Sequence, residues 1–307
     1  MMEYKNILVV VDPTTEHQPS LDRAAYLARS YGAKISLILC IYDLSYEMTS
    51  MLSADEREAM RQGVIGQQQT WVDQLIENYS DLTIESTVTW HNRPFEAIIS
   101  HVFEHDIDLL VKSTHNHGKI KSVIFTPTDW HLLRKSPCDV LLVKEHAWPE
   151  GGIILTAVNA ISDDEAHIDL NNKVIQHATD IAKVVSGKVK LVNGYPGTPV
   201  NIAIEIPEFN LNEYNSSVRK LHLEAMEKIA LTFGLDKSNC ITEEGLAEDV
   251  IPAIAQELDV ELLIIGTIGR TGLSAAFIGN TAEHVIDQLH CDLLAVKPAG
   301  FISPLQP

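Results

Sequence analysis

Long apolar runs are missing from this 307-residue chain. None approaches the ~20 residues that a membrane-spanning helix needs. The opening, MMEYKNILVVVD, also lacks the basic region, apolar stretch and small-residue cleavage site of a signal peptide. Cysteine is scarce: Cys40, Cys138, Cys240 and Cys291 stand singly, with no CxxC pair. That pattern excludes a zinc ribbon or a disulfide scaffold and fits a reduced, cytoplasmic protein. Positive charge is short as well, with 23 basic against 42 acidic residues and a formal net charge of −19. A nucleic-acid binder needs a positive field to displace counterions, so no nucleic-acid partner is expected. Solvated surface accounts for the acidity.

What remains is globular. Hydrophobic residues make up 45% of the chain, and its length suits two domains of roughly 150 residues each. Ile7–Val11 is a short apolar run closed by Asp12-Pro13, as in a strand buried on both faces. Leu21, Ala24, Ala25, Leu27 and Ala28 then recur at helical spacing, and Gly32 stands where that helix should stop. Strands are expected at 34–42, 83–90, 108–112 and 139–144, and helices at 54–79, 94–104 and 128–135. Strand and helix alternate with short connections, which predicts a parallel, doubly wound α/β sheet.

The series then restarts. Ile154–Val158 repeats Ile7–Val11 at an offset of 147, while DVELLIIG (259–266) and HCDLLAVKP (290–298) repeat DIDLLVKS (106–113) and PCDVLLVKE (137–145) at an offset of 153. The chain is a tandem duplication, with domains expected at 1–147 and 152–307 and a linker at Trp148–Gly152. The net gain of six residues is assigned to the proline-rich stretch 195–215. Its NIAIEIP segment is expected to fold as a flap over its own sheet or to line an apolar cavity.

In doubly wound sheets, ligands sit beyond the carboxyl ends of the strands, where strand order reverses. In the second half the relevant loop reads Gly266-Thr-Ile-Gly269-Arg270, followed by Gly279-Asn280-Thr281-Ala-Glu283. Glycines at 266 and 269 can adopt positive φ and admit a ligand close to the backbone. Asn280 or Thr281 is suited to cap a helix running to Leu289, with Glu283 as capping-box partner. A glycine turn beside a helix N-terminus is an anion cradle, and Arg270 is the one cation in it.

The spacing Gly266-x2-Gly269-x9-Gly279-Asn280 resembles the ATP-binding signature of the universal stress protein family, and the likeness extends over both halves in that family's tandem form. The resemblance implies two tandem five-stranded parallel sheets of strand order 3-2-1-4-5, adenine nucleotide alpha hydrolase-like in class. It implies ATP as ligand, with a divalent ion such as Mg. Phosphates would face Gly269, Arg270, Gly279, Asn280 and Thr281, ribose would face Gly266, and the base would lie near Ala157, Val158 and Asn159. Asn159 stands where the family usually has aspartate, so the carboxylate preference is absent. The resemblance also implies an internal pseudo-dimer formed through the last strand of each half, with homodimerisation a further option. In the first half Asp12 is kept, but Ser113, Asn116 and Thr126 replace the three glycines, Pro127 replaces Asn280, and Asp129 adds negative charge. That half is not expected to bind ATP.

His91, His115 and His117 gather three imidazoles near one rim of the first half, the minimum for a zinc-type site. Exposed histidines in a loop are more often simply solvated. No GxSxG elbow or nucleophile triad is present, and the glycine loop offers no acid before Glu283, so hydrolysis is at most weak. Two functions stand: a stress-response protein that binds nucleotide in its second domain, or a nucleotide-independent scaffold or carrier of another small ligand.

Overall fold

The computed structural model describes residues 3–48, 52–114, 125–198, 210–267 and 280–305. These divide into two compact units. One holds the described residues up to His146 together with 302–305, and the other holds those of 147–301.

The first unit opens with β1 (Asn6–Val10), α1 (Pro19–Tyr31) and β2 (Lys34–Ile41). The short α2 (Leu44–Glu47), which the sequence reading missed, precedes the long α3 (Ala54–Ile76). Then come β3 (Ile84–Trp90), α4 (Pro94–Glu104), β4 (Leu109–Ser113), α5 (Pro127–Lys135) and β5 (Asp139–Val143). All pairings are parallel, in the order β3-β2-β1-β4-β5. β1 lies between β2 and β4, and Ile7, Leu8 and Val9 are fully buried, which explains an unbroken apolar run where an alternating one would leave a face wet. Gly32 ends α1 in the left-handed region at φ +68°, donating its N–H to the Ala28 carbonyl.

The second unit contains β6 (Ile153–Ala157), α6 (Glu165–Val185), β7 (Lys188–Tyr195), α7 (Leu211–Thr232), β8 (Cys240–Glu244), α8 (Ala247–Glu257), β9 (Val260–Gly266), α9 (Asn280–Asp287) and β10 (Asp292–Val296). Its strands pair in parallel as β8-β7-β6-β9-β10. The α/β class and the parallel sheet are as expected. Within each unit the strands follow the expected order 3-2-1-4-5, but the expectation of two separate sheets is not supported.

One expectation is corrected by the register. Asn6 and Ile153, which open β1 and β6, are 147 apart, but Lys34 and Lys188, which open β2 and β7, are already 154 apart. The offset is still 154 between Leu39 paired to Val88 and Asn193 paired to Thr242, then 153 between Ser113 and Gly266. The extra residues therefore enter before β7, not in 195–215. They lengthen the first helix of the repeat, which has 21 residues in α6 against 13 in α1. Eight more residues add about 12 Å of helix. Proline and glycine drew the sequence reading to 195–215, whereas a longer helix leaves no such mark.

Candidate functional site

In the second unit the strand order reverses around β6, which lies between β7 and β9. The ends of β6 and β9 therefore share one rim, the place where such sheets bind ligands. Ala157 closes β6 and is half-buried, Val158 is buried, and Asn159 is exposed. Gly266 closes β9 and pairs with Val296 of β10. After it, Thr267 holds β10 through two bonds, its N–H and its hydroxyl both donating to the Val296 carbonyl at 3.1 and 3.2 Å. Thr114 repeats both bonds to Val143 in the first unit, at 2.8 and 3.2 Å. The duplication thus extends to individual hydrogen bonds at the rim. Asn280 is the first residue of α9, so that helix begins one residue earlier than expected and ends at Asp287. Gly269, Arg270 and Gly279 lie outside the described residues, as does segment 199–209.

The N-terminal turns of α6 reach over this rim. Leu170 rests on Gly266, and a Cβ built at Gly266 would stand 2.3 Å from Leu170 Cδ2 and 2.6 Å from its Cγ. Gly266 is not among the glycines of positive φ. Its lack of a side chain is required by packing, which corrects the expectation of left-handed backbone there. Asn171, the next residue, clamps the strand end from both sides. Its Oδ1 accepts from Asn159 N–H at 3.2 Å and its Nδ2 donates to the Asn159 carbonyl at 2.8 Å. From the α7 side, buried Asn193 donates through Nδ2 to the Val158 carbonyl at 3.0 Å, and its Oδ1 lies 2.8 Å from His222 Nδ1. The His222 ring stacks on Tyr195 at 4.8 Å, and burial holds its pKa below the usual histidine value. Leu39 takes the place of Asn193 in the first repeat. Leu170, Asn171, Asn193 and His222 were not singled out from sequence. Only Asn193 left a signal, as an amide inside an otherwise apolar strand.

Gly266→Ala is expected to destabilise the protein by roughly 1–3 kcal/mol through overpacking. Leu170→Ala in the same chain should recover part of that loss. Urea melts of the single and double variants measure this, and strictly additive losses would sink the packing account.

The first unit has filled the corresponding rim. Ser113, opposite Gly266, accepts from Ser20 N–H at 2.9 Å and so occupies the start of α1. Thr126 and Asp129 form a capping box at α5: Asp129 Oδ2 accepts from Thr126 N–H at 2.7 Å, and Thr126 Oγ1 accepts from Asp129 N–H at 3.2 Å. Asp129 is fully buried, and its other carboxylate oxygen lies 2.8 Å from Lys112 Nζ. The carboxylate expected to add negative charge to the turn is therefore paired with a lysine inside the unit, and the Asp129 N–H of this helix start is engaged by Thr126.

Of the candidate metal ligands, His91 follows β3, with its Nδ1 3.0 Å from both the N–H and the carbonyl oxygen of Arg93. His115 and His117 lie outside the described residues. Among the described residues, no group of three or more histidine, cysteine or carboxylate side chains is placed to hold a metal ion. None of their helices is long and apolar enough to cross a membrane.

A match to the family described as "Universal stress protein family" covers residues 3–144 and then 167–297. The chain belongs to the universal stress protein family. The second match resumes only inside α6, so Ala157, Val158 and Asn159 fall outside it. Full-length similarity runs to universal stress protein E of Escherichia coli (strain K12), at 50% identity over 100% of this chain and 98% of that one. The universal stress protein E homolog of Haemophilus influenzae is 41% identical over 97% of this chain and 99% of its own. Among solved structures, a universal stress protein of Pseudomonas aeruginosa UCBPP-PA14 superposes with a TM-score of 0.74 at 29% identity, covering 96% of this chain and 94% of that chain. One from Archaeoglobus fulgidus DSM 4304 shares the fold at a TM-score of 0.64 and 14% identity, over 96% and 99% of the two chains.

Proposed function

We propose that this tandem universal stress protein acts in the cytoplasm during stress and binds ATP, with Mg, through its second repeat alone. In this reading the repeats are domains of the adenine nucleotide alpha hydrolase-like class with boundaries near 147 and 152, and they act as an internal pseudo-dimer. The support is the combination of the Gly266-x2-Gly269-x9-Gly279-Asn280 spacing with a helix that starts at Asn280, beside the strand reversal at β6. First-turn N–H groups of a helix have no intrahelical partners and suit phosphate. Gly269, Arg270, Gly279, Asn280 and Thr281 would hold the phosphates, while Ala157, Val158 and Asn159 would border the base. Gly266 would contribute main chain only, since Leu170 covers its Cβ side. Binding does not entail turnover, because the loop between Gly266 and Glu283 carries no acid.

The rival function is a scaffold or carrier that needs no nucleotide, and the contact of Leu170 on Gly266 is the observation that favours it. Calorimetry of the full chain decides between them. One ATP per chain is expected. Gly269→Val or Gly279→Val should abolish it, because a branched side chain fills space the phosphates need. Changes at Asn116 or Thr126 should leave it intact. Arg270→Ala should weaken ATP by about ten- to a hundredfold while sparing adenosine, since arginine–phosphate bonds are charge-assisted. Two equal sites, or none, would reject the proposal.

A further inference from the structure

The first helix of the second repeat starts early. Just beyond β1, Gln18 holds both main-chain groups of Asp12, accepting from its N–H at 3.1 Å and donating to its carbonyl at 2.7 Å. Just beyond β6, Asn171 makes the same two bonds to Asn159, at 3.2 and 2.8 Å. The two amides are therefore counterparts, yet Gln18 stands six positions past Asp12 and Asn171 stands twelve past Asn159. Gln18 precedes α1, whereas Asn171 lies inside α6, which begins at Glu165. Residues 165–170 are thus helix that the first repeat does not have.

This extension is lightly held. Glu165, Ala166, Ile168 and Asp169 are exposed and His167 is half-buried, while Leu170 is buried. Leu170 lies on Gly266, where its Cδ2 takes the space of a Cβ. At the other end Asp164 caps the helix, its Oδ1 accepting from Ala166 N–H at 2.8 Å. Exposed helix ends open at little cost, and the burial of a single leucine is a modest restraint. Asn171 keeps its hold on Asn159 when only the turns before it unwind. The unwound form then has the helix start of the first repeat.

We infer that residues 165–170 form a latch over the nucleotide site of the second repeat, with Leu170 on Gly266 as its catch, and that nucleotide binds the unlatched form. The inference rests on nucleotide binding there as proposed above. Gly266 closes β9, and in that reading the phosphate loop starts from it. A ligand laid along this strand end needs the space that the Leu170 side chain fills. Apparent affinity is then reduced by the fraction of molecules that are unlatched. Whatever weakens the latch tightens binding.

Calorimetry of the full chain with ATP and magnesium tests this. Leu170→Ala removes the catch and should tighten ATP by about ten- to a hundredfold, the range that the burial of a leucine spans. Asp164→Ala removes the cap, loosens the helix start and should tighten ATP by about fivefold. Asp164→Asn removes the same charge but still caps, so it should bind as the wild type does, and so should Ile168→Ala at an exposed neighbour. In the wild type, amides at 168–170 should exchange with solvent faster under saturating ATP than without it, because the bound form is unlatched. Thermal melts check the folding of each variant, and Asp164→Ala and the exchange rates decide the matter if Leu170→Ala does not fold. Equal or weaker ATP binding by Leu170→Ala and Asp164→Ala, or exchange that ATP leaves unchanged or slows, would overturn the latch while the nucleotide reading stands. If neither the wild type nor Leu170→Ala binds ATP, both fall.

Discussion

Replacing Asp129 by alanine is expected to cost the protein about 3–5 kcal/mol, the scale for breaking a buried ion pair from one side. The carboxylate is fully buried and serves two structures at once. One oxygen pairs with Lys112 Nζ at 2.8 Å, while the other accepts from the N–H and the hydroxyl of Thr126 at 2.7 and 2.8 Å. Among the described residues, alanine would leave the lysine charge inside β4 with only the Ser113 carbonyl, 3.0 Å away, to receive it. It would also strip α5 of its cap, worth about 1 kcal/mol by itself. Most of the loss should come from the stranded lysine rather than from a favourable pair, because desolvation consumes much of the attraction. The double variant Lys112→Met, Asp129→Leu should therefore be far more stable than Asp129→Ala. Urea denaturation of the full chain measures both. A double variant that loses the sum of the two single losses would show that the groups are not coupled.

The pair also bears on function. At the matching places of the second repeat stand Ile265 and Ala282, which can form no such bond. The start of α5 in the first repeat thus carries a capping box and a buried ion pair whose partners are absent from the matching places of the second. It is in keeping with the proposal that nucleotide binds through the second repeat alone.

The strands were legible because burial on both faces demands runs such as Ile7–Val11, which no exposed element would carry. Gly32 marked the end of α1 for a similar reason, since it occupies left-handed backbone that other residues avoid. The four-residue α2 is too short to show a period. The longer α6 escaped notice because extra turns continue the same apolar spacing and change only a count. With that count misplaced, Leu170 and Asn171 could not be set over the β6–β9 rim. An asparagine within an amphipathic helix says nothing of which strand end it will meet. Gly266 was legible as a glycine of consequence, but the sequence pattern could not separate close approach to a ligand from close approach to a leucine.

Acid should erode the stability of the first unit through His101, by up to about 3 kcal/mol. The residue lies on α4, 6% exposed, with its ring stacked on His105 at 3.9 Å and its Nε2 buried without a hydrogen-bond partner among the described residues. Burial, helped by the neighbouring His105, lowers its pKa from 6.5 to about 4, and Glu104 opposes the shift weakly. The unfolded chain therefore binds a proton that the folded chain refuses, at any pH between those two values. Stability from the neutral ring is fully present above about 6.5 and is lost progressively as pH falls toward 4. At 1.36 kcal/mol per unit of pKa, that interval sets the magnitude. Carboxylates with lowered pKa, such as Asp81 and Asp164, lose their contribution at more acid pH, so they do not account for a slope above 5. His131 and His222 are also shifted down and leave a residual slope of the same sign. The His101→Leu variant isolates the effect, because an apolar side chain there has no proton to bind. Denaturation free energies between pH 7.5 and 4.5 should fall steeply for the wild type and more gently for His101→Leu, so that the variant gains on the wild type as the solution is acidified. Parallel curves for the two proteins would show that His101 titrates normally in the fold.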